Sequence, residues 1–74
     1  MEQLTLRRYD FMEVMSVILI EMTDDEGTKY TVTVTTLNDD LEEDKVLHRF
    51  NTQSKGTAFS TFEHKVNMLN GLAS

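Results

Sequence analysis

Residues 29 to 37, KYTVTVTTL, admit almost nothing but a β-strand. Tyr30, Val32 and Val34 alternate with Thr31, Thr33 and Thr35. β-Branched and aromatic side chains in a period of two make one apolar and one polar face, a pattern no helix reproduces. Such a strand needs a neighbour. The nearest is VMSVILIEM, residues 14 to 22, separated from it by TDDEGT. Asp opens a type I turn there and Gly27 supplies the positive φ that closes it, so the two runs read as a hairpin.

The first arm of this hairpin is ambiguous by period alone. Phe11, Val14, Met15, Ile18, Leu19 and Met22 fall on a helical stripe, and Asp10 with Glu13 matches a capping box. The concentration of β-branched residues at Val14, Val17, Ile18 and Ile20, and the tight turn into an evident strand, decide for β. Both faces of the arm are apolar: Val14, Ile18, Ile20 and Met22 on one, Met15, Val17 and Leu19 on the other. A strand of that kind belongs in the middle of a covered sheet.

Two further strands flank the hairpin. EQLTLRRY alternates Leu4 and Leu6 with polar residues, and KVLHRFN places Val46, His48 and Phe50 on one face. Ala58, Phe59, Phe62, Val66 and Leu69 then recur at helical spacing, with Ser54 or Thr57 as the cap and Asn70-Gly71 as the stop. The expected fold is α+β, a four-stranded antiparallel sheet with one C-terminal helix packed on one face, in the order β-β-β-β-α.

Residues 1 to 74 make one small domain, which removes only about 60 to 65% of its unfolded surface from water. The chain has no cysteine, which excludes disulfides and thiolate zinc sites as reinforcement. Packing or association must serve instead. One helix covers one face of the sheet and leaves the other apolar and open. The expectation is a homodimer, with Met15, Val17 and Leu19 as the self-association residues.

Charge narrows the function. Thirteen acids face seven bases, for a net charge of −6, and residues 21 to 44 hold nine of those acids against Lys29 alone. Direct binding to nucleic acid needs clustered Lys and Arg and is not expected. A protein partner with a basic surface is the natural complement. The candidate contact residues are Asp24, Asp25 and Glu26 in the hairpin turn and Asp39, Asp40, Glu42, Glu43 and Asp44 in NDDLEED. Strand direction sends the two groups to opposite ends of the sheet, about 25 Å apart. NDDLEEDKVL also reads as the opening of a short helix capped by Asn38.

No chemistry-bearing motif competes with this. Neither DDEGTKYTVT nor NDDLEEDKVLHR has calcium-loop spacing, and no metal or cofactor is expected. His48 and His64 belong to no ligand or triad spacing, and QSKGTAFS lacks the second glycine and the Gly-Lys ending of a phosphate loop. One helix on four strands leaves little room for a desolvated pocket, so an enzyme is not expected. MEQLTLRRYD lacks the apolar core of a secretory signal, and VILI is far too short to cross a membrane, which makes the reading cytoplasmic. The expected function is a non-enzymatic acidic binding module that inhibits or regulates a basic nucleic-acid-handling protein. Anti-restriction and anti-CRISPR inhibitors of phages and mobile elements are of this type. The alternative is a structural or assembly subunit that homo-oligomerises through an apolar sheet face.

Overall fold

The computed structural model describes residues 2–73; Met1 and Ser74 lie outside the described residues. Four strands, β1 (Glu2–Phe11), β2 (Met15–Asp24), β3 (Gly27–Leu37) and β4 (Glu43–Thr52), precede one helix, α1 (Lys55–Ala73). All pairings are antiparallel and the sheet order is β1-β2-β3-β4. The α+β architecture expected from the sequence is the one observed. The segment from 15 to 24 is a strand, not the helix its stripe also allowed.

Register decides which face of the sheet is the core. The β2–β3 hairpin turns on two residues, Asp25 and Glu26, with Asp24 opposite Gly27. From there Leu19 falls opposite Val32 and Val17 opposite Val34. The odd-numbered residues of β2 therefore share a face with the valines of β3. The helix lies on that face. Ala58 and Leu69 are buried against Val17, Leu19, Tyr30, Val32 and Val34, with Phe59, Phe62 and Val66 packed around them. Val17 and Leu19 are 0% exposed. Each such side chain contributes about 1.5–3 kcal/mol by leaving water.

This corrects the expected interface. Met15, Val17 and Leu19 are core, beneath α1, and offer nothing to a second copy. The opposite face carries Ser16, Ile18, Ile20 and Met22 of β2 beside Thr35, Thr33, Thr31 and Lys29 of β3, and Ser16, Ile18, Thr31, Thr33 and Thr35 on it are themselves buried, so it is not the open apolar face expected from the sequence. Val14, expected on that strand, lies in the β1–β2 turn instead.

Register irregularities adjust both edge strands. Thr5 pairs with Ile20 but Arg7 pairs with Leu19, which leaves Leu6 as an extra residue in β1. A bulge of this kind reverses the alternation downstream. It allows Leu6, Tyr9 and Phe11 to share the helix-facing side, where Leu6 and Phe11 pack on the core. The Arg7 guanidinium comes to lie 5.3 Å from the centre of the Phe59 ring, a cation–π contact. In β4, His48 pairs with Val34 while Val46 pairs with Thr35, so Leu47 is the surplus residue. Val46 therefore leaves the face of His48 and Phe50 that simple alternation assigned to it.

Ser54 is the helix cap: its Oγ accepts the Thr57 N–H at 3.2 Å and its carbonyl accepts the Ala58 N–H at 3.0 Å. At the other terminus α1 continues through Asn70 and Gly71 to Ala73, past the expected stop. Tyr9 holds this end to the sheet, its hydroxyl donating to Asn70 Oδ1 at 2.7 Å.

Candidate functional site

Antiparallel order places the β1–β2 and β3–β4 connections at one end of the sheet, together with the C-terminal end of α1. In the first connection, Val14 N–H donates to the Phe11 carbonyl at 3.0 Å, and Met12 and Glu13 have φ of 50° and 61°. Two left-handed central residues define the type I′ turn, normally built from Asn-Gly. Met and Glu hold it against their own Cβ atoms, a strain of about 1 kcal/mol each. The Val14 carbonyl then accepts the Leu37 N–H at 2.8 Å, which ties this turn to the end of β3.

The second connection is organised by one side chain. Asn38 Oδ1 accepts the N–H groups of Asp40 at 2.9 Å and Glu42 at 3.1 Å. The Asn38 carbonyl accepts the Leu41 N–H, and the Asn38 N–H donates to the Glu42 carbonyl. The result is a closed loop rather than the opening of a helix, and Leu41 has φ of 62°. Lys45 N–H donates to Thr36 Oγ1 at 3.0 Å, restoring the pairing with β3.

These two turns, at the same end of the sheet, carry both exposed apolar side chains and exposed acids. Met12 is 71% exposed, Val14 53% and Leu41 48%. At the same end Glu13, Asp39, Asp40, Glu42, Glu43 and Asp44 are all exposed. Among the described residues the ion pair is Arg8 with Asp10, at 2.9 Å, so none of the six carboxylates is neutralised by one. The helix adds to the field, because its C-terminus carries a partial negative charge and no basic residue sits in its last turn.

The other end is simpler. Asp24 Oδ1 accepts the Glu26 N–H at 2.9 Å, and Gly27 carries φ of 127°. Asp24, Asp25 and Glu26 are exposed there. The eleven residues of β3 separate the two ends by about 33 Å, more than the sequence spacing suggested, because the strand begins at Gly27 itself. Of the eight acids expected to act, five gather at one end and three at the other. Glu13, Met12, Val14 and Leu41 join the larger group and were not anticipated.

Two other features complete the inventory. His48 and His64 meet on one open groove between β4 and α1, with Phe50 and Lys65. Among the described residues no three His, Asp or Glu side chains are grouped so as to hold a metal ion. On the sheet face opposite the helix, hydrogen bonds from Arg8 and then Ser16 hold the Asp10 carboxyl below its ordinary value of 3.8, against a smaller opposing effect of desolvation. No protein-family model, curated protein or solved structure matches the chain.

Proposed function

We propose that this protein is a non-enzymatic binding module whose acidic end engages a basic surface on a nucleic-acid-handling protein, inhibiting or regulating it. One observation carries the reading. The turns at one end of the sheet carry exposed Met12, Val14 and Leu41 together with six exposed carboxylates that no ion pair neutralises among the described residues. Protein interfaces combine an apolar centre with a polar rim, and an uncompensated field of one sign speeds encounter with its opposite. A cleft that binds phosphates already presents the complementary charges. The second group at Asp24, Asp25 and Glu26, about 33 Å away along a stiff strand, gives such a cleft a second point of contact. Inhibitors that phages and mobile elements direct at restriction or CRISPR nucleases work on this chemistry, in the cytoplasm of the host. Self-association belongs to the same reading, since a domain this small without cysteine has no disulfide to reinforce it. No helix among the described residues is long and apolar enough to cross a membrane.

The test is capture from the native host followed by quantitative binding to the purified partner. Alanine at Asp39, Asp40, Glu42, Glu43 and Asp44 abolishes binding while the circular dichroism spectrum stays native. Wild-type affinity falls steeply between about 0.05 and 0.5 M salt. Binding that ignores both changes removes the acidic end from the function.

A further inference from the structure

We infer that the groove between β4 and α1 binds a phosphate group, with the Phe50 ring as the surface on which the organic part of a phosphate ester rests. The site is independent of the acidic end. Residues 45–65 hold four bases, Lys45, Arg49, Lys55 and Lys65, against the single acid Glu63, in a chain whose net charge is −6. The strand and the half-helix built from this segment are thus a basic flank on an acidic protein. The fold then converges its side chains. His48 lies opposite Val34 and Phe50 opposite Val32, so both belong to the helix side of the sheet. On α1, Thr57, Thr61, His64 and Lys65 recur at spacings of three and four, a polar stripe beside the apolar one that packs on the core. The two rows line one groove of about 690 Å³, a size within the range of small-molecule sites.

Three features select the ligand. The first is the absence of acid: although the chain has thirteen carboxylates, none of them lines the groove among the described residues. The second is a surplus of donors. The Lys65 ammonium, two imidazoles and the threonine hydroxyls come from both walls, and Lys65 is spent on no ion pair, since Arg8 with Asp10 is the pair found among the described residues. The third is the kind of donor. No arginine lines the groove. A planar carboxylate is gripped best by the guanidinium fork, whereas a tetrahedral phosphate offers three strong acceptor oxygens to point donors arriving from several directions. Donors on two walls suit the phosphate.

Phe50 extends the site beyond the bare anion. It packs against the core and also lines the groove, so its ring is held in place. A fixed aromatic ring stacks on planar groups, which favours a nucleoside phosphate over the free ion. Side chains rather than a glycine-rich backbone supply all of these contacts, so the sequence carries no phosphate-loop pattern.

The experiment titrates inorganic phosphate and adenosine monophosphate separately into the isotope-labelled protein, at an ionic strength held constant with chloride, and follows the amide resonances. Both ligands shift His48, Thr61, His64 and Lys65 and saturate with Kd on the order of 1 mM. His64→Gln and Lys65→Gln each weaken binding about fivefold or more, with circular dichroism confirming that each variant folds. Lys29→Gln removes the same charge from the opposite face of the sheet and leaves affinity unchanged. Equal losses in Lys29→Gln and Lys65→Gln would mean that net charge alone attracts the anion, which overturns the site. Shifts scattered over every basic residue overturn it too, as does the absence of any shift up to about 20 mM. Adenosine monophosphate that binds about threefold or more tighter than phosphate, and loses that advantage in a folded Phe50→Leu variant, supports the ring contact. Equal affinities for the two ligands overturn the ring contact and leave the phosphate site standing.

Discussion

Leu19 shows how much hangs on single positions. It is fully buried between the sheet and α1, so Leu19→Ala removes apolar contacts that the small core cannot replace. The expected loss is about 2–5 kcal/mol, read as a lowered denaturant midpoint with an unchanged slope. A loss below about 1 kcal/mol would mean that the helix does not rest there. Asp10 makes a pH prediction. Its folded-state pKa is depressed, first by the Arg8 hydrogen bond and then by Ser16, so its contribution is present above the unfolded value. That contribution disappears as pH falls below about 4 through the folded-state pKa. Asp10→Asn should therefore flatten part of the acid limb of stability against pH, and an identical limb in both proteins would refute the linkage. The site is half exposed, so the effect is small. Residue parity was also where sequence reading failed. Both sides of β2 are apolar, and period alone does not say which one α1 takes. The answer lay in β3, whose valines mark the core side. Reading it across required a two-residue turn at Asp25-Glu26, whereas TDDEGT taken loosely leaves the register open.

Elements were legible where one pattern dominated and obscure where turn chemistry was unusual. Four strands and a helix follow from period and β-branching, and Ser54 was among the caps foreseen. The β1–β2 turn was hidden because Met12 and Glu13 are not turn residues, and their neighbours completed a plausible helical stripe. That same mismatch makes the turn testable. Replacing Met12-Glu13 by Asn-Gly should raise stability by about 1–2 kcal/mol, since both positions have left-handed φ. A decrease in thermal midpoint would show that the side chains contribute more than the strain costs. Leu41 separates folding from binding. Leu41→Gly relieves a φ of 62° while deleting the exposed side chain, so stability should rise and partner affinity fall. Unchanged affinity, measured by calorimetry, would leave Leu41 as a loop residue and nothing more. Within the acidic end, the five carboxylates of NDDLEED were visible as composition. Their union with Glu13 and three apolar side chains was not, because it arises from the antiparallel order of strands.

At the scale of the whole molecule, the charge is arranged as two negative poles on a body about 40 Å long. With a single ion pair among the described residues, repulsion between carboxylates outweighs attraction. Raising salt from about 0.05 to 0.5 M should therefore stabilise the fold by up to about 1 kcal/mol, seen as a higher thermal midpoint. A falling midpoint would indicate attractive pairs that dominate in solution. The strand order has a consequence of its own. Because every strand lies against the one before it in the chain, each pairing closes a short loop, and no distant segment has to be found. The sheet can zip up hairpin by hairpin, with α1 settling last. Such a topology favours rapid maturation, on the order of milliseconds, without the slow proline or disulfide steps that delay other small β proteins.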